Sequence, residues 1–375
     1  MGEAFILRRI PKSVPRFMRM TCHRQLLTLC LLALVPMSSI ADPSVSTLEA
    51  ARSEWSTYRF PLFEGESAAL ERINIYLHAF ELDGLPGRFK QSPFERIWPK
   101  EDGGHGRVSL DYEIHAKTPG FLSLDIIGEY YGAYLSLGRN SYAFALADGS
   151  PLSLSELFSE SGLQRLRERV SQARIERIEN FLARIPANSA TQEEAESAAI
   201  QREIYEHCLP RHLDTNLAHD RLVLEQAQLT LIAERCSAHV VRALDDLDEF
   251  SNSFPYTDLA EDLSSYGRCL LLEQRSDCRQ LARPQMGGAY RGEIGHRDRI
   301  TLVITPNAEG SSRAVYFHGK DASAIRLVVR HDASRTLLRE QREVPALFEL
   351  QLGRDGQLSG SWQKDGGPPL PVNLR

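Results

Sequence analysis

Arg107-Val108-Ser109-Leu110-Asp111-Tyr112-Glu113-Ile114-His115, followed closely by Phe121-Leu122-Ser123-Leu124-Asp125-Ile126-Ile127-Gly128-Glu129-Tyr130, decides how this chain is read. In the first run Val108, Leu110, Tyr112 and Ile114 alternate with polar neighbours, the period-two pattern of a strand with one buried face. The second run is more continuously apolar. A third, with Tyr142, Phe144 and Leu146, alternates again before the turn residues Asp148-Gly149. Together they predict a meander of antiparallel strands.

Upstream, Trp55, Thr57, Tyr58, Phe60 and Leu62 predict another strand, broken at Gly65. The stretch Glu66–Phe80 then repeats Ala69, Leu70, Ile73, Tyr76, Leu77 and Phe80 at three- and four-residue spacing, so it predicts a helix with one buried face. His78 on that helix is read as structural or solvent-facing rather than as a ligand. Residues 42–52 are read as a lead without assigned structure. Residues 82–106 are loop-like, punctuated by Gly84, Pro86, Gly87, Pro93 and Pro99 and closing on Gly103-Gly104-His105-Gly106.

Downstream, Leu152–Phe158 leads into a helix from about Leu163 to Ile185, stopped by Pro186. A second helix runs over about 191–207. Val223–Leu224 and Leu229–Ala233 read as a hairpin, and a short helix begins near Phe254 and ends at Gly267. This delimits a first domain of residues 45–268. From Arg283 the texture changes to Gly-punctuated strands at Ala289–Ile294, Ile300–Thr305, Ala314–His318, Ile325–Val329, Leu337–Glu340, Leu347–Leu352 and Leu358–Trp362. Such regular spacing predicts a small all-β domain, residues 283–375, joined through a disulfide-bearing linker, 269–282. The expected fold is therefore α+β: an N-terminal antiparallel sheet with packed helices, then a C-terminal meander or barrel. In Leu358-Ser359-Gly360-Ser361-Trp362 a close-packed Gly and a buried Trp are expected on one strand.

The chain has 375 residues, 42% of them hydrophobic and 25% charged, with a formal net charge of -6. That balance argues against a general nucleic-acid binder, which neutralises phosphates with a basic surface. The N-terminus carries Arg8, Arg9, Lys12, Arg16, Arg19 and Arg24, then an apolar run Leu26–Val35. The run is too short for a membrane span, which needs about 20 residues. Pro36 and the small residues Ser38, Ser39 and Ala41 follow. This is the pattern of a secretory signal, residues 1–41, cleaved after Ala41, with Met1, Met18 and Met20 as alternative starts. Leu29 stands where a lipoprotein signal preceding Cys30 would need a small residue. The expectation is a periplasmic or secreted protein with no membrane anchor in its mature part.

Four cysteines remain beyond that signal: Cys208, Cys236, Cys269 and Cys278. An even number in an oxidising compartment predicts two disulfides. Of three pairings, Cys208–Cys236 with Cys269–Cys278 keeps each bridge within one predicted unit. The rival reading is a zinc site beside Cys208 using His207, His212 or His239, but tight Cys-x-x-Cys or Cys/His spacing is missing. No metal and no cofactor is expected.

Residues 55–268 resemble the extracytoplasmic domain of lysozyme-sensing anti-sigma factors of the RsiV type, found also beside some peptidoglycan deacetylases. The resemblance is carried by Tyr58-Arg59-Phe60-Pro61 with the helix containing Ile73-Asn74, by Phe121-Leu122-Ser123-Leu124, and by Gly132-Ala133-Tyr134. It continues in Tyr142-Ala143-Phe144-Ala145-Leu146 with Asp148-Gly149, in Leu154-Ser155-Glu156-Leu157-Phe158, and in Phe254-Pro255-Tyr256-Thr257-Asp258-Leu259. Tyr134 replaces a His common in that family, so no role of that His transfers. The sigma-binding and deacetylase parts are absent from the pattern. The resemblance implies a recognition module.

No catalytic residue is expected. Gly-x-Ser-x-Gly, His-Glu-x-x-His and phosphate-binding glycine patterns are all missing from the sequence. Asp245, Asp246, Asp248 and Glu249 do not match a calcium loop and read as a solvated acidic face. Tyr130, Tyr131, Tyr134 and Tyr142 form the candidate binding surface, because tyrosine offers a broad apolar face with a polar tip. The rival is cross-strand packing of the same rings. The expected partner is an envelope protein or peptidoglycan glycan. The alternative is an envelope hydrolase whose carboxylate acid/base pair is scattered along the sequence.

Overall fold

The computed structural model describes residues 44–99, 105–132, 135–186, 191–213, 216–280, 286–306, 312–319, 323–332 and 335–375. The expected signal and cleavage site, Tyr134 and the Gly103-Gly104 pair lie outside the described residues.

A five-stranded sheet forms the first layer: β1 (Ser44–Ser53), β2 (Ser56–Glu64), β3 (Gly106–Lys117), β4 (Phe121–Tyr131) and β5 (Leu135–Ala145), in that spatial order. All neighbours are antiparallel except β2 and β3, which meet in parallel at Tyr58 and Leu110. The stretch read as an unstructured lead is thus an edge strand. Its own residues are weak strand formers, and the pairing with β2 supplies what they lack, with Val45, Leu48 and Ala50 packing on the core.

Helix α1 (Ala68–Glu81) lies over this sheet, capped by Ser67, whose side chain accepts from the Ala69 amide. It is buried on nearly every side, which its sequence periodicity did not predict. The reason is a second cover: Ala289, Val303, Val315 and Phe317 of the C-terminal strands join Ile73, Tyr76 and Leu77 in a single hydrophobic cluster. Asn74 ties helix to sheet by accepting from the Phe63 amide at 3.0 Å and donating to the Phe63 carbonyl at 2.8 Å. His78 is buried, with Nδ1 2.8 Å from the Asn74 carbonyl, so Nδ1 carries the proton. Burial pushes its imidazole down to about 4, and it stays neutral.

A one-turn helix α2 (Leu154–Leu157) precedes α3 (Glu160–Leu182) and α4 (Gln192–Leu213), which pack together beside a three-stranded sheet of β6 (Arg221–Leu224), β7 (Gln228–Ala233) and β8 (Phe250–Pro255). Helix α4 continues past the expected end at His207 and through Pro210. Val240 and Val241 sit in a 3-10 turn.

The C-terminal part is a closed antiparallel barrel: β9 (Gly288–Ile294), β10 (Asp298–Ile304), β11 (Arg313–His318), β12 (Ile325–Asp332), β13 (Arg335–Glu340), β14 (Ala346–Leu352), β15 (Leu358–Lys364) and β16 (Leu370–Leu374). Leu302, Tyr316, Leu338, Phe348 and Leu350 are among its core residues. The last strand, which the sequence reading did not name, closes the ring by pairing Val372 with Ile294 and Leu374 with Gly292. Closure demands glycine: a Cβ on Gly292 would lie 1.9 Å from the Asn373 carbonyl oxygen. Gly360 is held as tightly, against Glu349 O, at φ +159. Trp362, expected to be buried, is half-buried.

Candidate binding groove between helix α1 and the barrel

The structure turns Tyr142 toward the buried carboxylate of Glu81 and Tyr130 toward Arg107, that carboxylate's partner. Tyr142 is buried and its hydroxyl donates to Glu81 Oε1. Burial, and then the neighbouring Glu81 charge, pushes that phenol well above its ordinary range, so it remains a donor. Arg107 Nη2 donates to Glu81 Oε2 at 2.6 Å and Nη1 to the Glu81 carbonyl at 3.0 Å. Asn140 Nδ2 adds a bond to Oε1 at 2.8 Å. Tyr130 completes the group: its hydroxyl accepts from Arg107 Nε at 2.8 Å, and the guanidinium carbon lies 4.8 Å from its ring centroid. Gly138 leaves room for this ring, since a Cβ there would lie 2.7 Å from it. Tyr131 is half exposed, beside the exposed Leu135 and Leu137.

This network anchors the last turn of α1, where a cation also opposes the negative end of the helix dipole. It fixes the helix that forms one wall of a groove of about 740 Å³. Glu71 and Arg72 of α1 face Arg291 and Arg299 of the barrel across it, and Arg88 stands on the loop after α1. The floor is aliphatic, with Ile75, Leu85, Ala289 and Ile300. The cations are held in place. Arg88 Nη1 donates to the Gly319 carbonyl at 2.8 Å, Arg72 Nη1 to the Asp148 carbonyl at 3.2 Å, and Arg291 pairs with Glu71 at 2.5 Å. A smaller depression of about 230 Å³ shares Arg72 and Ala289 with the groove and is lined by Ser150, Gly287, Gly288 and Gly356. Sequence reading missed these arginines, which are separated by up to most of the chain and follow no local motif.

The structure pairs Cys208 with Cys236 and Cys269 with Cys278. His212, one turn after Cys208, comes within 4.8 Å of the first bridge, whereas His207 is exposed and the His239 side chain lies outside the described residues. With its sulfurs joined, the bridge offers no thiolate, the form that ligates zinc. Burial, then Arg174 and Arg211, pushes the His212 imidazole down to about 4.

The acidic run is not a solvated face throughout. Asp245 is buried and accepts from Tyr205 Oη at 2.7 Å, Ser237 N at 3.0 Å and Asp248 N at 3.2 Å. Asp246 accepts from Gln201 at 2.9 Å, Asp248 pairs with Arg235, and Glu249 pairs with Arg221 at 2.8 Å. Asp245 ties down the loop before β8, because a buried carboxylate needs donors once water is excluded, while Asp246, Asp248 and Glu249 are exposed as the solvated reading expects.

Among the described residues no helix is long and apolar enough to cross a membrane. No protein-family model and no curated protein matches the chain. Among solved structures it is similar to a DUF3298 family member from Bacteroides fragilis NCTC 9343, at 12% identity and a TM-score of 0.38, over 63% of this chain and 97% of that one. It is also similar to a DUF3298 family protein from Pseudomonas aeruginosa PAO1, at 13% identity and a TM-score of 0.29, over 60% of this chain and 93% of that one. DUF3298 is a family of unknown function, and likenesses of this strength carry no functional argument.

Proposed function

We propose that this chain is an exported, non-catalytic binding module of the cell envelope that takes a protein segment or a cell-wall component into the groove between α1 and the barrel. The observation that carries the reading is the groove itself. Its two walls come from different parts of the fold and share one hydrophobic cluster, so it is held open before any ligand arrives. A preformed site avoids the entropic cost of ordering its walls on binding. The paired cysteines and the secretory pattern of the sequence support export, and the resemblance to RsiV-type domains supports recognition as the task.

The rival, an envelope hydrolase, needs two carboxylates flanking the bond to be cleaved. The groove has Glu71 and Glu293, and Arg291 already engages Glu71. A carboxylate whose oxygen is already taken up by a guanidinium is not free to hand a proton to a leaving group. That observation favours binding over hydrolysis.

Immobilised chain, challenged with muropeptides and with periplasmic extract, tests the reading. Retention is expected, and Thr301→Trp, which places an indole in the groove, is expected to abolish it while circular dichroism stays native. Retention unchanged by the plug, or release of cleaved muropeptide, would overturn it.

A further inference from the structure

We infer that the groove selects its occupant by negative charge, and that this occupant is an acidic peptide segment bearing more than one carboxylate. The inference rests on the groove being the binding site and names what it binds. The chain as a whole is acidic, with 50 Asp and Glu against 44 Lys and Arg. The groove runs against that average. Arg72, Arg88, Arg291 and Arg299 line it, Arg375 adds a fifth guanidinium, and the opposing carboxylates are Glu71 and Glu293. One of those two is matched to Arg291, so the surplus charge is positive.

Arginine is common throughout this sequence, so its presence alone says little. What marks the groove is how the guanidiniums are held. Arg88 and Arg72 are each anchored on a backbone carbonyl through Nη1. An arginine fixed by one N–H keeps the rest of its planar fork for a carboxylate, and little rotamer entropy remains to be lost when the ligand binds. Forks so fixed on the α1 side, with Arg291 and Arg299 on the barrel side and an aliphatic floor between, match a chain that carries carboxylates at intervals and apolar carbon between them.

Peptide is favoured over glycan by the lining. A neutral sugar is held mainly by aromatic rings stacked on its faces, and the groove is lined by no aromatic side chain among the described residues. The depression past Arg72 is lined by Asp148, Asp355 and Tyr290 besides Gly287, Gly288 and Gly356, so the occupant's carboxylates belong in the main groove.

Calorimetric titration of the full exported chain with a short Glu-Gly repeat peptide, its Gln-Gly counterpart and an oligogalacturonate of equal charge decides the matter. The Glu peptide is expected to bind, the Gln peptide to bind about tenfold or more weakly, and affinity to fall steeply between about 50 and 500 mM salt. Arg88→Gln with Arg299→Gln is expected to weaken the Glu peptide by about tenfold or more. Arg335→Gln, at a surface ion pair elsewhere on the barrel, is expected to leave it unchanged. Equal binding of the Glu and Gln peptides, blocked by Thr301→Trp, overturns the charge selection while leaving the groove as the binding site. Arginine-dependent binding of oligogalacturonate as tight as that of the peptide overturns the peptide assignment. Binding of the Glu peptide that ignores both the arginine substitutions and the plug removes the groove itself.

Discussion

Glu81 and Arg107 form the buried ion pair at the end of helix α1. Their side chains are 0% and 8% exposed, and every bond between them is made out of water. Losing one charge of such a pair strands the other, which costs about 3–5 kcal/mol. Glu81→Gln is therefore expected to lower unfolding stability by about that amount in urea denaturation, and adding Arg107→Met to recover part of it. A loss under about 1 kcal/mol would mean that water reaches the network. The sequence reading ended the helix at Phe80 and singled out neither residue, although Glu81 stands four residues after Leu77 and eight after Ile73, on the apolar stripe, where a carboxylate signals a buried partner. Arg107 gave no such signal. Alternation places Val108 inward and Arg107 outward, but a β-bulge between Arg107 and Ser109 shifts the register and brings Arg107 opposite Tyr130, on the side of Leu110. A bulge is an outcome of pairing, and the pattern of a single strand does not record it.

Among the elements, α4 shows how a cross-link overrides a local rule. Pro210 lacks an amide hydrogen and should end the helix, yet α4 reaches Leu213. Cys208, in the turn before the proline, is bonded to Cys236 and sits in a small core with Ile178, Tyr205 and Phe250. The two bridges close loops of different length, with sequence separations of 28 and 9. Chain entropy makes the longer worth about 3.5 kcal/mol and the shorter about 2.5 kcal/mol. Denaturation of the Cys208→Ala/Cys236→Ala and Cys269→Ala/Cys278→Ala variants is expected to show losses in that order. The reverse order would shift the explanation to native-state packing around one bridge. Strands β1 and β16 are legible only after the fact. Each is short of strand-forming residues and exists because a neighbouring strand offers its backbone groups, which are costly to leave unpaired.

At the scale of the molecule, α1 has two covers. Phe317 of β11 is fully buried in the same cluster as Ile73 and Leu77. Truncating it, Phe317→Ala, is expected to cost about 3–5 kcal/mol and to shift a single calorimetric transition of the whole chain. Two transitions, with only one moved, would show that sheet and barrel unfold separately. From its pattern alone the sequence determined the α+β order, the strand-rich C-terminal half, the amphipathic start of α1 and the expectation of paired cysteines, because these follow from periodicity and residue type within a short window. Only the tertiary structure decided that the eight C-terminal strands close into a ring, that α1 is sandwiched, and that Tyr142 and Tyr130 close on the buried pair of Glu81 and Arg107. It alone gathered Arg72, Arg88, Arg291 and Arg299 around one groove. Hydrophobic period reports which face of an element is covered, but not by what, and a charge read along the chain carries no address for the charge it will meet in space.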